Sequence, residues 1–155
     1  PLELRELQGV KLFNDLELLN DWRNNFKGVS FTDAQGNILK GAIDEILIYK
    51  NKLIILDFKT RGFTLKPDTH KCYQTQLNLY GYLFDKNNYP TESYGYLLFY
   101  HPNKVRKKGE FLFHTDLVKV DVSIKDAELL FKQAIKCLNN NAPETKCKHC
   151  QHIIP

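Results

Sequence analysis

GAIDEILIYKNKLIILDFKT, Gly41–Thr60, decides how the chain is read. Two runs rich in Ile and Leu flank Lys50-Asn51, and a short polar step between apolar, β-prone runs signals a hairpin. Each run is interrupted by an aspartate: Asp44 sits among Ala42, Ile46 and Ile48, and Asp57 follows Leu53-Ile54-Ile55-Leu56, with Lys59 just after it. If Lys50 and Asn51 form a two-residue turn, Tyr49 faces Lys52, and counting back along both strands sets Asp44 opposite Asp57. Directly opposed residues share a face, with Cβ atoms about 5 Å apart. The alternation of a strand puts Lys59 on that face too.

Two opposed carboxylates repel each other and lose hydration when half buried, so positive charge must compensate. Lys59 supplies one charge and a divalent cation two more. Aspartate oxygens suit Mg²⁺ or Mn²⁺, which keep several waters and bind substrate phosphates. The hairpin therefore reads as a hydrolytic metal site for phosphodiesters. The cation would lower the pKa of a bound water and polarise the phosphate, while Lys59 positions that water or neutralises developing charge. The plainer alternative is an exposed Asp44 and a surface Asp57–Lys59 ion pair. Register, apolar neighbours and an Asp-x-Lys triplet at a strand end together favour the metal site.

The bulk properties are those of one globular domain: 155 residues, 43% hydrophobic and 26% charged, enough to bury a sizeable core. No apolar run approaches the length of a membrane span, and PLELRELQG lacks the apolar segment of a signal peptide. The chain starts at Pro1 and contains no methionine, so residues upstream are expected. A net charge of +4 mildly favours an anionic partner. The cysteines, Cys72, Cys137, Cys147 and Cys150, are too few and uneven for a disulfide scaffold, which points to a reducing cytoplasm.

Along the chain, residues 10–26 show helical spacing and 29–31 a short strand, with a turn at 33–37. Residues 38–49 and 52–60 follow as strands, making a three-stranded meander. Residues 67–86 read as a helix with Pro67 in its first turn. A strand at 94–101, a basic loop at 102–109 and a strand at 110–122 come next. A helix capped by Ser123 runs to about Asn139. Residues 143–155 form a polar, cysteine-containing tail. This order implies a single α/β domain with a mixed sheet.

At the hairpin the chain resembles the PD-(D/E)XK nuclease superfamily, through Asp44 and Asp57-Phe58-Lys59. Gly41 matches the G-x-x-D form of RecB-like members, and Gln76-Leu77-Asn78-Leu79-Tyr80 matches their Q-x3-Y element. The match covers Gly41 to Tyr80 and is closest to RecB-like exonucleases, including the CRISPR-associated ones. The resemblance implies a restriction-endonuclease-like core, its mixed central sheet flanked by helices. It also implies metal binding by Asp44, Asp57 and the Phe58 backbone carbonyl, catalysis assisted by Lys59, and Gln76 and Tyr80 organising lysine or substrate. Such nucleases usually add an acidic residue or histidine from an N-terminal helix. Glu3, Glu6 and Glu17 are candidates, or the ligand precedes Pro1. Some members hold a [4Fe–4S] cluster, and Cys147-Lys148-His149-Cys150 is a C-x2-C pair in the corresponding region. The pair is half a site for a cluster or for zinc, with His149 and His152 as further zinc candidates, or else a free thiol pair.

The helix also reads sensibly by itself. Tyr73, Gln76, Leu77, Tyr80 and Phe84 share one face, and Gln76 and Tyr80 are neighbours at i and i+4. Basic residues mark a route for phosphates: Arg61 and Lys66 just beyond the catalytic strand, and Lys104, Arg106, Lys107 and Lys108 in the 102–109 loop, which is either solvated or phosphate-binding.

The expected activity is metal-dependent hydrolysis of DNA, single-stranded or with free ends, in repair, recombination or a CRISPR-associated role. The rival readings are a catalytically inactive nucleic-acid-binding module of the same fold, and an accessory domain whose main chemical feature is the Cys147–Cys150 pair.

Overall fold

The chain folds, in order, as strand β1 (Lys11–Leu12), helix α1 (Leu16–Arg23), strands β2 (Val29–Thr32), β3 (Ile38–Gly41), β4 (Glu45–Tyr49) and β5 (Lys52–Thr60), helix α2 (Gln74–Lys86), strands β6 (Tyr94–Lys107) and β7 (Glu110–Asp121), and helix α3 (Ile124–Leu138). The computed structural model describes residues 7–107 and 109–141. A five-stranded sheet has the order β1-β4-β5-β6-β7, and β2 and β3 form a separate two-stranded ribbon. Among the described residues no helix is long and apolar enough to cross a membrane.

The centre of the sheet follows from the Ile- and Leu-rich runs. β4 and β5 pair antiparallel from Tyr49↔Lys52 to Glu45↔Leu56. Lys50 and Asn51 turn between them, both at positive φ (46° and 63°), as the hairpin turns matching strand twist require. β5 and β6 pair parallel, with Asp57↔Leu97 and Lys59↔Phe99. Parallel neighbours need a crossover, and α2 provides it. β6 and β7 pair antiparallel, so the sheet is mixed.

Alternation sorts the core into two faces. On one face Leu53, Ile55, Leu97 and Phe99 pack with Leu19 and Trp22 of α1 and Leu77, Leu83 and Phe84 of α2. On the other, Ile54, Leu56, Tyr96 and Leu98 pack with Leu47. α3 joins through Ala127 and Phe131, which meet Tyr82 of α2.

Four local expectations are corrected. The segment read as a helix over 10–26 starts as a strand: Lys11 and Leu12 pair with Ile48 and Leu47, and α1 begins only after Asp15 caps it, accepting from Leu18 N at 3.0 Å. The strand expected over 38–49 breaks between β3 and β4, so there is no three-stranded meander. Its middle is bonded to α1 instead: Ile43 N donates to Trp22 O at 3.1 Å, and Arg23 Nε donates to Asp44 O at 2.7 Å. The helix expected over 67–86 opens as a 3₁₀ segment, Thr69–Tyr73, before α2. The basic loop expected over 102–109 is mostly strand. Lys104↔Leu112, Val105↔Phe111 and Lys107↔Glu110 pair, with register shifts after Pro102 and Val105. The bulges absorb the proline that made this stretch read as a loop, and Gly109 sits at φ 86° between the strands. α3 starts as expected, with Ser123 Oγ accepting from Asp126 N at 3.2 Å.

Candidate active site

β5 is buried from Leu53 through Asp57, and this continuity draws a carboxylate into the interior. Asp57 is only 2% exposed. Burial pushes its carboxyl above the usual range, the Lys59 ammonium opposes that rise, and the charge of Asp44 adds to it. Asp57 Oδ2 pairs with Lys59 Nζ, yet no described residue gives that buried oxygen an aligned hydrogen bond. Asp44 immediately precedes β4. Its Oδ2 accepts from Phe58 N at 2.8 Å, so it lies against the β5 backbone at the residue next to Asp57.

Lys59 is held from the helix side. Its Nζ donates to Gln76 Oε1 at 2.9 Å and stands 4.8 Å from the centre of the Tyr73 ring. Gln76 Nε2 donates to Tyr80 Oη at 2.9 Å, and Tyr80 donates to Ala42 O at 2.7 Å. Donor counting makes this chain one-directional. The Ala42 carbonyl only accepts, so the Tyr80 proton is spent there and its oxygen must accept from the amide nitrogen of Gln76. The amide oxygen is then left to face the ammonium, which only donates. Burial raises the Tyr80 phenol pKa, and the charges of Asp57 and Asp44 push it further, which keeps the donating proton in place. Gly41 lets the helix approach: a Cβ there would meet the Tyr80 ring at 2.9 Å. This close approach explains the glycine three residues before Asp44.

Arg23, which the sequence did not single out, fixes the other edge. Besides its bond to the Asp44 carbonyl, its Nη2 pairs with Glu45 Oε2 at 2.7 Å. The only local hint is a basic residue in the last turn of α1.

Asp44, Asp57, Lys59, Gln76 and Tyr80 are thus brought into one neighbourhood. Phe58 places its N–H on Asp44 and its ring 6.4 Å from that of Tyr100. Arg61 N donates to Tyr100 O at 2.9 Å, and its guanidinium lies 4.7 Å from the Phe63 ring. Lys66 is exposed in the β5–α2 connection. Lys104, Arg106 and Lys107 are exposed on the outer part of β6, a strand rather than the expected loop. Glu17 is exposed and its charge acts on Lys27; Asp44 and Lys59, not Glu17, are the charges that shift Asp57. Cys72 and Cys137 are free and exposed. Glu3, Glu6, Lys108, Cys147, His149, Cys150 and His152 lie outside the described residues.

The donor set fits a hard divalent cation. Two carboxylates supply oxygen ligands, and the buried Asp57 Oδ2 lacks an aligned donor. Its ionised form is disfavoured in the bare protein, a cost that a cation would offset.

A family model described as the PD-(D/E)XK nuclease superfamily matches residues 8–153. No curated protein sequence matches the chain. A solved structure titled "Crystal structure of SSO0001" is similar at a TM-score of 0.47 and 21% identity, over 90% of this chain and 66% of that one; the chain therefore spans slightly less than two thirds of that protein's length.

Proposed function

Because the chain belongs to the PD-(D/E)XK nuclease superfamily, whose members use divalent metals, we propose that it hydrolyses DNA phosphodiester bonds with Mg²⁺ or Mn²⁺ held by Asp44, Asp57 and the Phe58 carbonyl. Its α/β sheet, mixed and flanked by helices, is of the restriction-endonuclease-like type. The observation that carries the proposal is Asp57, a buried carboxylate disfavoured as an ion by burial and beside Asp44, joined to a lysine that the Gln76–Tyr80 chain aims.

The cation, when bound, lowers the pKa of a water and draws negative charge from the phosphate. Lys59 does the rest of the positioning. Its ammonium donates to Gln76 and is ion-paired with Asp57, and a remaining N–H can orient the attacking water or meet charge developing on the phosphate. Gln76 holds the ammonium and is itself held by Tyr80, which is anchored on the Ala42 carbonyl. Arg61 and Lys66 continue from β5 and would neutralise the next phosphates, as would Lys104, Arg106 and Lys107 on the outer part of β6, with Lys108 next to them in sequence. Such contacts carry no sequence information, which suits a RecB-like nuclease acting on single-stranded or free DNA ends in repair, recombination or a CRISPR-associated setting. A [4Fe–4S] cluster or zinc at Cys147 and Cys150 belongs to the same reading.

The test is cleavage of end-labelled single-stranded DNA with Mg²⁺ or Mn²⁺. Asp57→Ala is expected to abolish it, and Lys59→Ala to slow it about 10²–10³-fold. Activity that survives both substitutions overturns the site. DNA binding without cleavage by the unaltered chain favours the non-catalytic binding module.

A further inference from the structure

β6 and β7 bring together three metal-ligating side chains that the proposed chemistry leaves unused. His101 and His114 are directly opposed across the two strands, and Asp116, two residues beyond His114, shares their face. Asp116 Oδ2 is 2.9 Å from His101 Nε2, and Asp116 Oδ1 is 3.4 Å from His114 Nε2. One ligand atom from each residue lies within 4.8 Å of the others. Donors bonded at 2.0–2.1 Å to one tetrahedral ion stand about 3.3 Å apart, and both N···O separations, each to a different Asp116 oxygen, lie within a few tenths of an ångström of that spacing. A register shift follows at Pro102/Lys104, and bulges of this kind re-aim side chains beside sites.

We propose that His101, His114 and Asp116 form a second metal site, selective for a zinc-like divalent transition ion and distinct from the oxygen-only pair Asp44 and Asp57. Imidazole nitrogen suits zinc and its neighbours, whereas Mg²⁺ prefers oxygen. In the bare protein the Asp116 carboxylate is hydrogen-bonded to the His101 ring at 2.9 Å and stands 3.4 Å from His114 Nε2, and the ion takes the place of the proton between Asp116 and His101. Three protein ligands leave a position for water or an anionic oxygen. Asp116 also lines a cleft of about 370 Å³ with Lys66 and His70, from which such a ligand can come. Lys59, Phe99 and Asp116 are register partners in one row across β5, β6 and β7. The second ion therefore faces the same side of the sheet as Lys59, with the Asp116 and Lys59 Cα atoms about 10 Å apart at ordinary strand spacing.

His101 also limits the affinity. Its side chain is 7% exposed, and its Nδ1 meets no hydrogen-bond partner among the described residues. With Nε2 on the ion, Nδ1 carries a proton that nothing accepts. Loss of such an outer partner weakens metal sites by about 10–100-fold.

Cobalt(II) absorption tests the site in the full chain, with all four thiols removed by Cys72→Ser, Cys137→Ser, Cys147→Ser and Cys150→Ser. Intense visible bands of low-coordinate cobalt should appear, be quenched by added Zn²⁺, and persist in Asp57→Asn. His114→Ala and Asp116→Asn should each weaken cobalt binding by at least about 100-fold, more than loss of an outer partner. His114 is 54% exposed, so its variant keeps the fold, which far-UV circular dichroism checks. Absence of cobalt bands in the parent, or unchanged binding in His114→Ala, overturns the second site. Bands lost only in Asp57→Asn assign the ion to the Asp44–Asp57 pair and also overturn it. The proposed nuclease reaction stands or falls separately, by the cleavage assay.

Discussion

The sheet contains two antiparallel hairpins built to opposite specifications. β4–β5 turns in two residues and keeps one register along its whole length, with Leu53 to Asp57 all buried. β6–β7 is buried only near its base. Beyond His101 its first strand is exposed and its register shifts twice, and Phe111, Leu112 and Phe113 are 59%, 38% and 50% exposed. Where both faces of a strand are packed, a slip of one residue exchanges them and is strongly disfavoured. Where neither face is packed, bulges are tolerated and the surface is left for charge and aromatic rings. The tight hairpin can therefore hold carboxylates in fixed positions. The loose one presents Lys104, Arg106 and Lys107 without fixing them.

The sharpest way to break this contrast is to truncate one apolar side chain in each hairpin. Ile54 is fully buried in β5, and Ile54→Ala should cost about 2–5 kcal/mol. Phe113→Ala, on the half-exposed part of β7, should stay within about 0.5 kcal/mol. Urea denaturation of both variants measures the difference. Equal losses would mean that the outer arm is packed as firmly as the centre.

The same contrast explains what could be read in advance. The β4–β5 register was legible because Lys50-Asn51 is the one polar step between two apolar runs, and turn length sets register. Gln76 and Tyr80 were legible as neighbours because helical spacing is local. Arg23 was not, since its bond to the Asp44 carbonyl spans 21 residues and depends on α1 docking against β4. The break at Ala42–Asp44 was hidden for the same reason, as the partner of Ile43 is the Trp22 carbonyl. Pro102 and the basic residues after it imitated a loop, because a bulged, solvated strand carries no alternating apolar pattern. His101, His114 and Asp116 become neighbours only once β6 and β7 pair, and nothing in their spacing announces that.

Burying a carboxylate in the tight hairpin should leave a signature in pH. The folded state raises the Asp57 pKa, chiefly by burial, so its neutral form is the one the fold favours. Without a divalent cation the penalty is absent well below the ordinary carboxylate range and grows as pH rises through the folded pKa. Relative to Asp57→Asn, the unaltered protein should lose stability over that interval, by at most about 1.4 kcal/mol per pH unit for one proton. Unfolding curves from acid to neutral pH read this difference directly. Adding Mg²⁺ at neutral pH should stabilise the unaltered protein in proportion to RT ln(1 + [Mg²⁺]/Kd) and leave Asp57→Asn unmoved. A slope of the opposite sign would show that the Lys59 ion pair outweighs burial.

The smallest effect concerns the turn itself. Lys50 occupies a left-handed conformation, φ 46°, that costs an L-residue about 1–2 kcal/mol and that asparagine tolerates better in hairpin turns. Lys50→Asn removes part of that strain. It also removes the ammonium that stands 5.0 Å from the Tyr49 ring, a contact worth about 0.5 kcal/mol at an exposed site. The balance is a gain of about 0.5 kcal/mol, or about 1–2 °C in Tm for a chain of this size. Gly109→Ala in the loose hairpin should go the other way by about 1 kcal/mol. A Cβ at Gly109 meets nothing, so its φ of 86° is the whole cost. A lower Tm in Lys50→Asn would mean that the ring contact outweighs the backbone strain.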